Sequence, residues 1–176
     1  DPTSGSLALV RLQGSPAAAA VMDYIDYQQV PPNRTVGGIP DGEPRNRRSL
    51  FYPTPGAANN PAFPQIKVTI NEWMSDNTAT VTDPADGKYS DWFELYNSGD
   101  TEVDLTSYRL TDNLTNVTQF VIPPGYVIPP NGFLLVWADG DTKQNVPANQ
   151  DLHVNFKLDA AGEQLGLFGP DGALID

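Results

Sequence analysis

Short segments of alternating hydrophobic and polar residues recur along this chain, and that pattern is typical of half-buried β-strands. Turn residues separate the segments. Helix signals are almost absent, because the alanine run 17–20 is long enough for one helical turn at most. The sequence therefore predicts an all-β protein. Its predicted strands are Leu7–Leu12, Val21–Tyr27, Ile66–Met74, Asp91–Asn97, a short strand around Tyr108, Gln119–Ile122, a strand at Ile128, Phe133–Ala138, His153–Leu158, and a hairpin of Gln164–Phe168 with Ala173–Ile175.

The strands after residue 66 are spaced like those of an immunoglobulin-type β-sandwich, with seven or eight strands in about 110 residues. Phe133–Ala138 is apolar on both faces, which predicts a central strand that is covered from both sides. A proline-rich stretch at 53–65 precedes this series, and proline fixes φ and removes an N–H donor. We therefore expect an N-terminal piece 1–52, a linker 53–65 and a β-sandwich 66–176.

Composition excludes several classes of protein and site. The 176 residues contain no cysteine, which excludes disulfides and thiolate chemistry, and one histidine, His153, which excludes sites with several histidine ligands. The net charge is −12 and all of it lies after residue 60, which argues against binding to nucleic acid. The three arginines of 45–48 are therefore interpreted as a solvated loop.

The two ends of the chain resemble each other. Residues 5–9 correspond to residues 163–167, and Val21-Met22-Asp23 corresponds to Leu174-Ile175-Asp176. This repeat predicts that the chain carries the tail of one domain followed by most of a second copy.

Several motifs after the proline-rich stretch resemble the bacterial lamin-tail domain family. The family begins with an I-N-E strand and an acidic loop, followed by a D-W-x-E-L-Y-N strand. The matching segments here are Ile70–Met74, Asp86–Asn97, Val103–Leu105, Tyr108–Asp112, Ile128–Phe133, Val136–Gly140, Leu152–Leu158 and Gly162–Asp176. The N-terminal piece resembles the end of the same domain at Val21–Tyr27, Gly38–Gly42 and Pro53–Asn59, although Thr35–Gly38 lacks the arginine that the family often has there.

The resemblance implies an immunoglobulin-like β-sandwich without enzymatic activity. It further implies an interaction or structural module in a secreted or cell-surface multidomain bacterial protein. Its partner is expected to be another protein or a neighbouring domain of the same polypeptide, with no nucleic acid and no insertion into a membrane.

The acidic loop between the first two strands of the sandwich is a candidate cation site. Asp83, Asp86 and Asp91 lie within nine residues around Gly87, and Ca²⁺ takes clustered oxygen ligands of this kind. Counted from Asp83, Glu94 falls at position twelve but Gly87 at five, so the EF-hand pattern is not met. Ca²⁺ at Asp83, Asp86 and Asp91 is the one cofactor that the sequence suggests, the alternative being a hydrated acidic loop. Asp139-Gly140-Asp141 is a second candidate.

Two alternative functions remain open from the sequence. A Ca²⁺-dependent or carbohydrate-binding adhesion module would use these carboxylates, or aromatic residues as a stacking platform: Trp73, Trp92, Trp137, Tyr89, Tyr96 and Tyr108. A hydrolase fragment would use Asp91 with Glu94, or a triad around His153. The first needs exposed rings and the second needs a cleft, whereas rings on strands usually lie in the core.

The repeat also predicts how the sandwich is completed. Residues 66–176 contain no counterpart of Tyr24–Tyr27, which follow Asp23 in the first copy. A sandwich without that strand exposes an unpaired edge and an apolar groove. We therefore expect residues 24–52 to fill the groove, either within one chain or by strand exchange between chains. The alternative is that the missing strand belongs to a longer protein of which this sequence is a part.

Overall fold

The computed structural model describes residues 4–12, 19–28, 30 and 34–176 of the chain. The chain folds as two compact units, Asp1–Pro64 and Gln65–Asp176. The division falls within the proline-rich stretch.

The first unit contains two antiparallel hairpins in its described part. Strands β1 (Ser4–Leu12) and β2 (Ala19–Gln28) pair along their whole length, with a register shift between Leu9 and Val10. Strands β3 (Thr35–Gly38) and β4 (Arg47–Leu50) form the second hairpin. Arg47 connects the two, because its guanidinium lies 2.6 Å from a carboxylate oxygen of Asp23 and donates a 2.7 Å hydrogen bond to the carbonyl of Tyr24.

The proline-rich stretch packs within the first unit. Asn59 is held from both sides: its backbone N–H donates to Asp41 and its side-chain amide donates to the carbonyl of Gly38, each at 3.0 Å. The rings of Phe51 and Phe63 meet edge to face with centroids 5.4 Å apart. The stretch is thus anchored beside β3. The division into 1–52, 53–65 and 66–176 stays a prediction.

The second unit carries nine short strands in three sheets. A four-stranded sheet has the order β12-β11-β6-β5, a three-stranded sheet the order β13-β8-β9, and β10 pairs with β7. The strands are β5 (Val68–Met74), β6 (Trp92–Asn97), β7 (Val103–Asp104), β8 (Arg109–Thr111), β9 (Phe120–Val121), β10 (Val127–Ile128), β11 (Phe133–Trp137), β12 (Leu152–His153) and β13 (Gly166–Phe168).

The core of this unit is apolar and contains large side chains at nearly every strand. Phe93 and Leu95 on β6 and Val136 on β11 are fully buried, as are Leu110 and Leu167 from the three-stranded sheet. Burial of these side chains is the main term that stabilises a cysteine-free domain. β11 lies inside the four-stranded sheet, between β12 and β6, as its apolar pattern predicted.

The predicted all-β fold is confirmed, since the helical residues described are two short 3₁₀ turns, Thr142–Gln144 and Pro147–Asn149. Neither of these turns is long or apolar enough to cross a membrane. The alanine run 17–20 carried only a weak helix signal, and its described residues Ala19 and Ala20 belong to β2, while 13–18 lie outside the described residues.

One strand prediction needs correction. The predicted strand 153–158 is shorter than expected, because the ladder ends at His153. Val154 and Phe156 are nevertheless buried and Asn155 and Lys157 exposed. Burial alternates here although the segment has no continuous strand partner, which explains why the sequence pattern overestimated the length of the strand. Beyond His153, the N–H of Val154 donates to the carbonyl of Trp137 at 2.9 Å, and an isolated bridge joins Lys157 to Asp139.

Candidate functional site

Strand β5 forms one edge of the four-stranded sheet, with β6 on one side. The N–H of Ile70 donates a 2.7 Å hydrogen bond to the side-chain carboxylate of Asp176. A carboxylate thus occupies a position where a neighbouring strand would offer a carbonyl. Edges of this kind can accept a further strand.

A groove of about 410 Å³ lies beside this edge, within the second unit. Ile70 and Trp73 of β5 form one wall, and Leu158, Glu163 and Leu165 contribute to the remainder. The Trp73 side chain is 65% exposed, which is unusual for a residue of this size and hydrophobicity. The groove therefore combines apolar side chains and the carboxylates of Asp159, Glu163 and Asp176 with the outer edge of β5.

The repeat detected in the sequence has the same local register in both units. Leu9 lies opposite Asp23 in the hairpin of β1 and β2. Its counterpart Leu167 donates to the carbonyl of Asp176 at 2.8 Å and accepts from the N–H of Asp176 at 3.3 Å. The two Leu–Asp pairs are equivalent in sequence and in pairing.

In the first unit the pairing continues beyond Asp23, because residues 24–28 pair with residues 4–8. By the repeat, residues 4–8 correspond to residues 162–166. Gly162, Glu163 and Leu165 line the groove. The groove thus lies where a strand equivalent to 24–28 would run, between 162–166 and β5.

A second feature is a set of four polar side chains, Asp83, Asp139, Asp151 and His153, which we name the acid–histidine cluster. Asp83 comes from the loop between β5 and β6, Asp139 follows β11, and the other two lie at β12. Parallel pairing of β11 with β12 sets Trp137 opposite His153 and brings Asp139 to the histidine ring. The side chains of Asp83 and His153 are completely buried, and those of Asp139 and Asp151 are 12% and 13% exposed.

The imidazole of His153 is surrounded by carboxylates. Its Nδ1 lies 3.2 Å from Oδ2 of Asp139 at hydrogen-bonding geometry and 3.7 Å from Oδ2 of Asp83. Its Nε2 lies 3.3 Å from Oδ1 of Asp151 but has no hydrogen-bond partner among the described residues. The ring of Trp137 stacks near the imidazole with centroids 6.5 Å apart, and the backbone N–H of His153 donates to Asn145 at 2.6 Å. These contacts fix the ring.

Asp83 is held by the backbone of its own loop. Its Oδ1 accepts a 2.8 Å hydrogen bond from the N–H of Ala85, and its carbonyl accepts from Gly87, whose positive φ of 73° closes the turn. Its Oδ2 is buried and accepts no hydrogen bond from the described part of the chain. Burial raises the pKa of the Asp83 carboxyl, against the lowering effects of the Ala85 hydrogen bond and the nearby His153.

The residues predicted as calcium ligands have different surroundings. The carboxylate of Asp86 lies 2.6 Å from the ammonium of Lys88, and that hydrogen bond lowers the pKa of Asp86. Asp91 accepts a 3.0 Å hydrogen bond from the N–H of Asn77. In the described chain, the ligand atoms that come within 4.8 Å of one another belong to Asp83, Asp151 and His153. The calcium site at Asp83, Asp86 and Asp91 stays a prediction.

Sequence reasoning missed Asp151 and His153 as partners of Asp83. Asp139, in the second candidate, does reach the cluster, while its neighbour Asp141 accepts from the N–H of Lys143. The signal available was that the single histidine of an acidic chain lies two residues after an aspartate. It gave no indication of contact with a loop 70 residues earlier.

The other candidate chemistries receive little support from the geometry. Trp73 and Tyr89 are exposed, but Trp92, Trp137 and Tyr108 are buried, so the aromatic residues do not form one stacking platform. Among the described contacts, the ring nitrogens of His153 face carboxylates and not a serine hydroxyl. Glu94 accepts a 2.9 Å hydrogen bond from Asn71 across the sheet.

Comparison with known families gives a match to the second unit. A family model described as Lamin Tail Domain matches residues 61–176, which cover the second unit and the end of the proline-rich stretch. A search of curated proteins returned no match to this chain.

Proposed function

The chain belongs to the lamin tail domain family, and from that premise we propose that it is a non-catalytic interaction and structural module that binds an extended strand in the groove beside β5. The family is an immunoglobulin-like class of interaction and structural domains, which supports the general role. We further propose that the module works in a secreted or cell-surface bacterial protein with several domains, in keeping with the motifs noted in the sequence.

The observation that supports strand binding most directly is a groove with apolar side chains beside the outer edge of β5. The N–H of Ile70 is bonded to a side chain, Trp73 is largely exposed, and Leu165 lies in the same groove. An added strand would satisfy the edge through main-chain hydrogen bonds and cover the indole. The main-chain hydrogen bonds and the burial of the indole would both favour binding.

We propose residues 24–28 of a second copy of the chain as the occupant. In the hairpin of the first unit, Ile25 lies opposite Leu7 and Tyr27 opposite Gly5. The repeat transfers those partners to Leu165 and Glu163, both of which line the groove. The inserted strand would therefore place Ile25 against Leu165, and the repeat specifies the pairing register.

Self-association and peptide binding test this proposal. The full chain is studied by light scattering over a range of concentrations, and a peptide of residues 19–28 is titrated while tryptophan emission is recorded. Trp73 is the exposed tryptophan, since Trp92 and Trp137 are 7% and 2% exposed. We expect a concentration-dependent dimer, and a saturable blue shift of the emission on peptide addition.

Two controls make the experiment specific. The same peptide with Ile25→Pro cannot form the ladder and should not bind, and Trp73→Phe should remove the blue shift while keeping binding. A chain that stays monomeric at all concentrations and ignores the peptide would contradict strand addition. Binding to a glycan array that is lost in Trp73→Ala would favour the carbohydrate-binding alternative.

A further inference from the structure

We propose that the acid–histidine cluster binds a divalent transition-metal cation, with Zn²⁺ as the expected ion. The ligands are Oδ2 of Asp83, Oδ1 of Asp151 and Nε2 of His153, and Asp139 orients the imidazole from outside the coordination sphere. The site is independent of the strand-binding groove and of the proposed function.

Two buried atoms carry this inference, because neither has a hydrogen-bond partner in the described chain. They are Asp83 Oδ2 and His153 Nε2, and both belong to side chains that are completely buried. Buried polar atoms are nearly always satisfied, and an exception calls for an explanation such as an ion. The ligand atoms of Asp83, Asp151 and His153 lie within 4.8 Å of one another, so one cation can satisfy both atoms together.

The second carboxylate, Asp139, decides which ring nitrogen is the ligand. Its Oδ2 lies 3.2 Å from Nδ1, and a carboxylate only accepts. In the neutral imidazole, the proton is therefore on Nδ1 and the lone pair on Nε2. Nε2 lies 3.3 Å from Asp151 Oδ1, and a cation bound by both atoms would turn their repulsion into coordination. A carboxylate that holds the far N–H of a ligand histidine is the common arrangement around zinc.

The donor set favours a transition metal over calcium. Imidazole nitrogen suits Zn²⁺ and its neighbours, whereas Ca²⁺ takes six to eight oxygen ligands. Zinc holds nitrogen and carboxylate ligands at about 2.0–2.2 Å, so two ligands are at most about 4.4 Å apart. The ligand atoms of Asp83, Asp151 and His153 lie within 4.8 Å of one another, so they would move closer together when the ion binds.

The metal would act as a staple in a domain without disulfides. Asp83 belongs to the loop between β5 and β6, while His153 belongs to β12, at the opposite edge of the sheet order, and Asp151 directly precedes that strand. A cation there would lock the loop to the sheet.

The single histidine permits an unambiguous experiment on the full chain. Metal-free protein is titrated with ZnCl₂, and the ring nitrogens of His153 are followed by ¹⁵N NMR together with calorimetry. We expect one Zn²⁺ per chain, a change in the Nε2 resonance, and a proton that stays on Nδ1. A metal-free protein with both nitrogens protonated and no response to Zn²⁺ would overturn the proposal.

Matched aspartate variants identify the ligands. We expect Asp139→Asn to weaken zinc affinity by about 10–100-fold, as loss of an outer-sphere partner does, and Asp83→Asn to weaken it by at least as much. Asp86→Asn, in the same acidic loop, should bind zinc like the parent chain. Circular dichroism confirms that each variant is folded. The titration of the parent chain tests the proposal even if a variant does not fold.

Two results in the variants would refute the assignment. If Asp83→Asn leaves the zinc affinity unchanged, Asp83 is not a ligand and the assigned site is wrong. Tighter binding of Ca²⁺ than of Zn²⁺, lost in Asp86→Asn, would instead support the calcium site at Asp83, Asp86 and Asp91.

Discussion

Asn97, at the end of β6, is a buried amide whose loss should strongly destabilise the second unit. Its side chain is fully buried and its Nδ2 donates to the carbonyls of Thr101 at 2.8 Å and of Ile128 and Pro129 at 3.1 Å. Its Oδ1 accepts from the N–H of Gly99 at 2.9 Å. One side chain thus joins the end of β6, the following turn and β10.

The magnitude follows from the number of hydrogen bonds lost in Asn97→Ala. The amide has two protons shared among three carbonyls and one acceptor bond from Gly99, which amounts to about three hydrogen bonds. A buried group left unsatisfied costs about 1–3 kcal/mol, and Pro129 keeps a second bond from Gly132. We expect a loss of about 3 kcal/mol, a large part of the roughly 5–15 kcal/mol that stabilises a domain.

Urea denaturation followed by tryptophan fluorescence measures this loss. The three tryptophans lie in the second unit, so the signal reports that unit alone. Asn71→Ala is the matched control, because its amide donates one exposed 2.9 Å hydrogen bond to Glu94. That change should alter stability by about 0.5 kcal/mol or less.

Asn97→Asp gives an additional, pH-dependent test. The new carboxylate would be buried against carbonyl oxygens, so its pKa in the folded state would lie above the unfolded value of about 3.9. The extra destabilisation relative to Asn97→Ala should therefore be absent well below that pH and grow as the pH rises. A loss in Asn97→Ala as small as in Asn71→Ala would refute the reasoning.

Two further predictions concern stability. Burial, with a smaller effect of Asp151, raises the pKa of Tyr126 to about 12. The free energy of unfolding that this shift contributes should therefore be fully present below pH of about 10 and be lost towards pH of about 12. Tyr126→Phe should remove that pH dependence in urea titrations at alkaline pH. Gly132→Ala would place a Cβ 2.5 Å from a ring carbon of Pro129 and 2.9 Å from its carbonyl oxygen, so we expect a loss of about 1–3 kcal/mol by the same assay, and an unchanged midpoint would contradict the packing argument.

Local patterns in the sequence were enough to predict the all-β fold and most strands of the second unit, but not β3 and β4. Strand segments were identified because hydrophobic alternation and turn residues are local properties of the chain. The same locality explains the correct central position of Phe133–Trp137, whose two faces are both apolar. It also explains the error at 153–158, where burial alternates but the ladder stops at His153.

The missing strand that the repeat in the sequence predicted stays a prediction, whereas the sheet order shows that β5 is an edge strand. The groove requires Ile70, Trp73 and Leu165 to come together, and the first two are distant from the third along the chain. Edge positions depend on which strands pair, and pairing over long separations is a property of the tertiary fold.

The acid–histidine cluster was decided by tertiary structure alone. Asp83 and His153 are 70 residues apart, and the sequence placed Asp83 with its neighbours Asp86 and Asp91 because proximity along the chain was the available guide. The parallel pairing of β11 with β12 and the folding of the 75–91 loop brought Asp83, Asp139 and His153 together. Burial then changed the chemistry of those groups, because a carboxylate without water needs a proton, a donor or a cation.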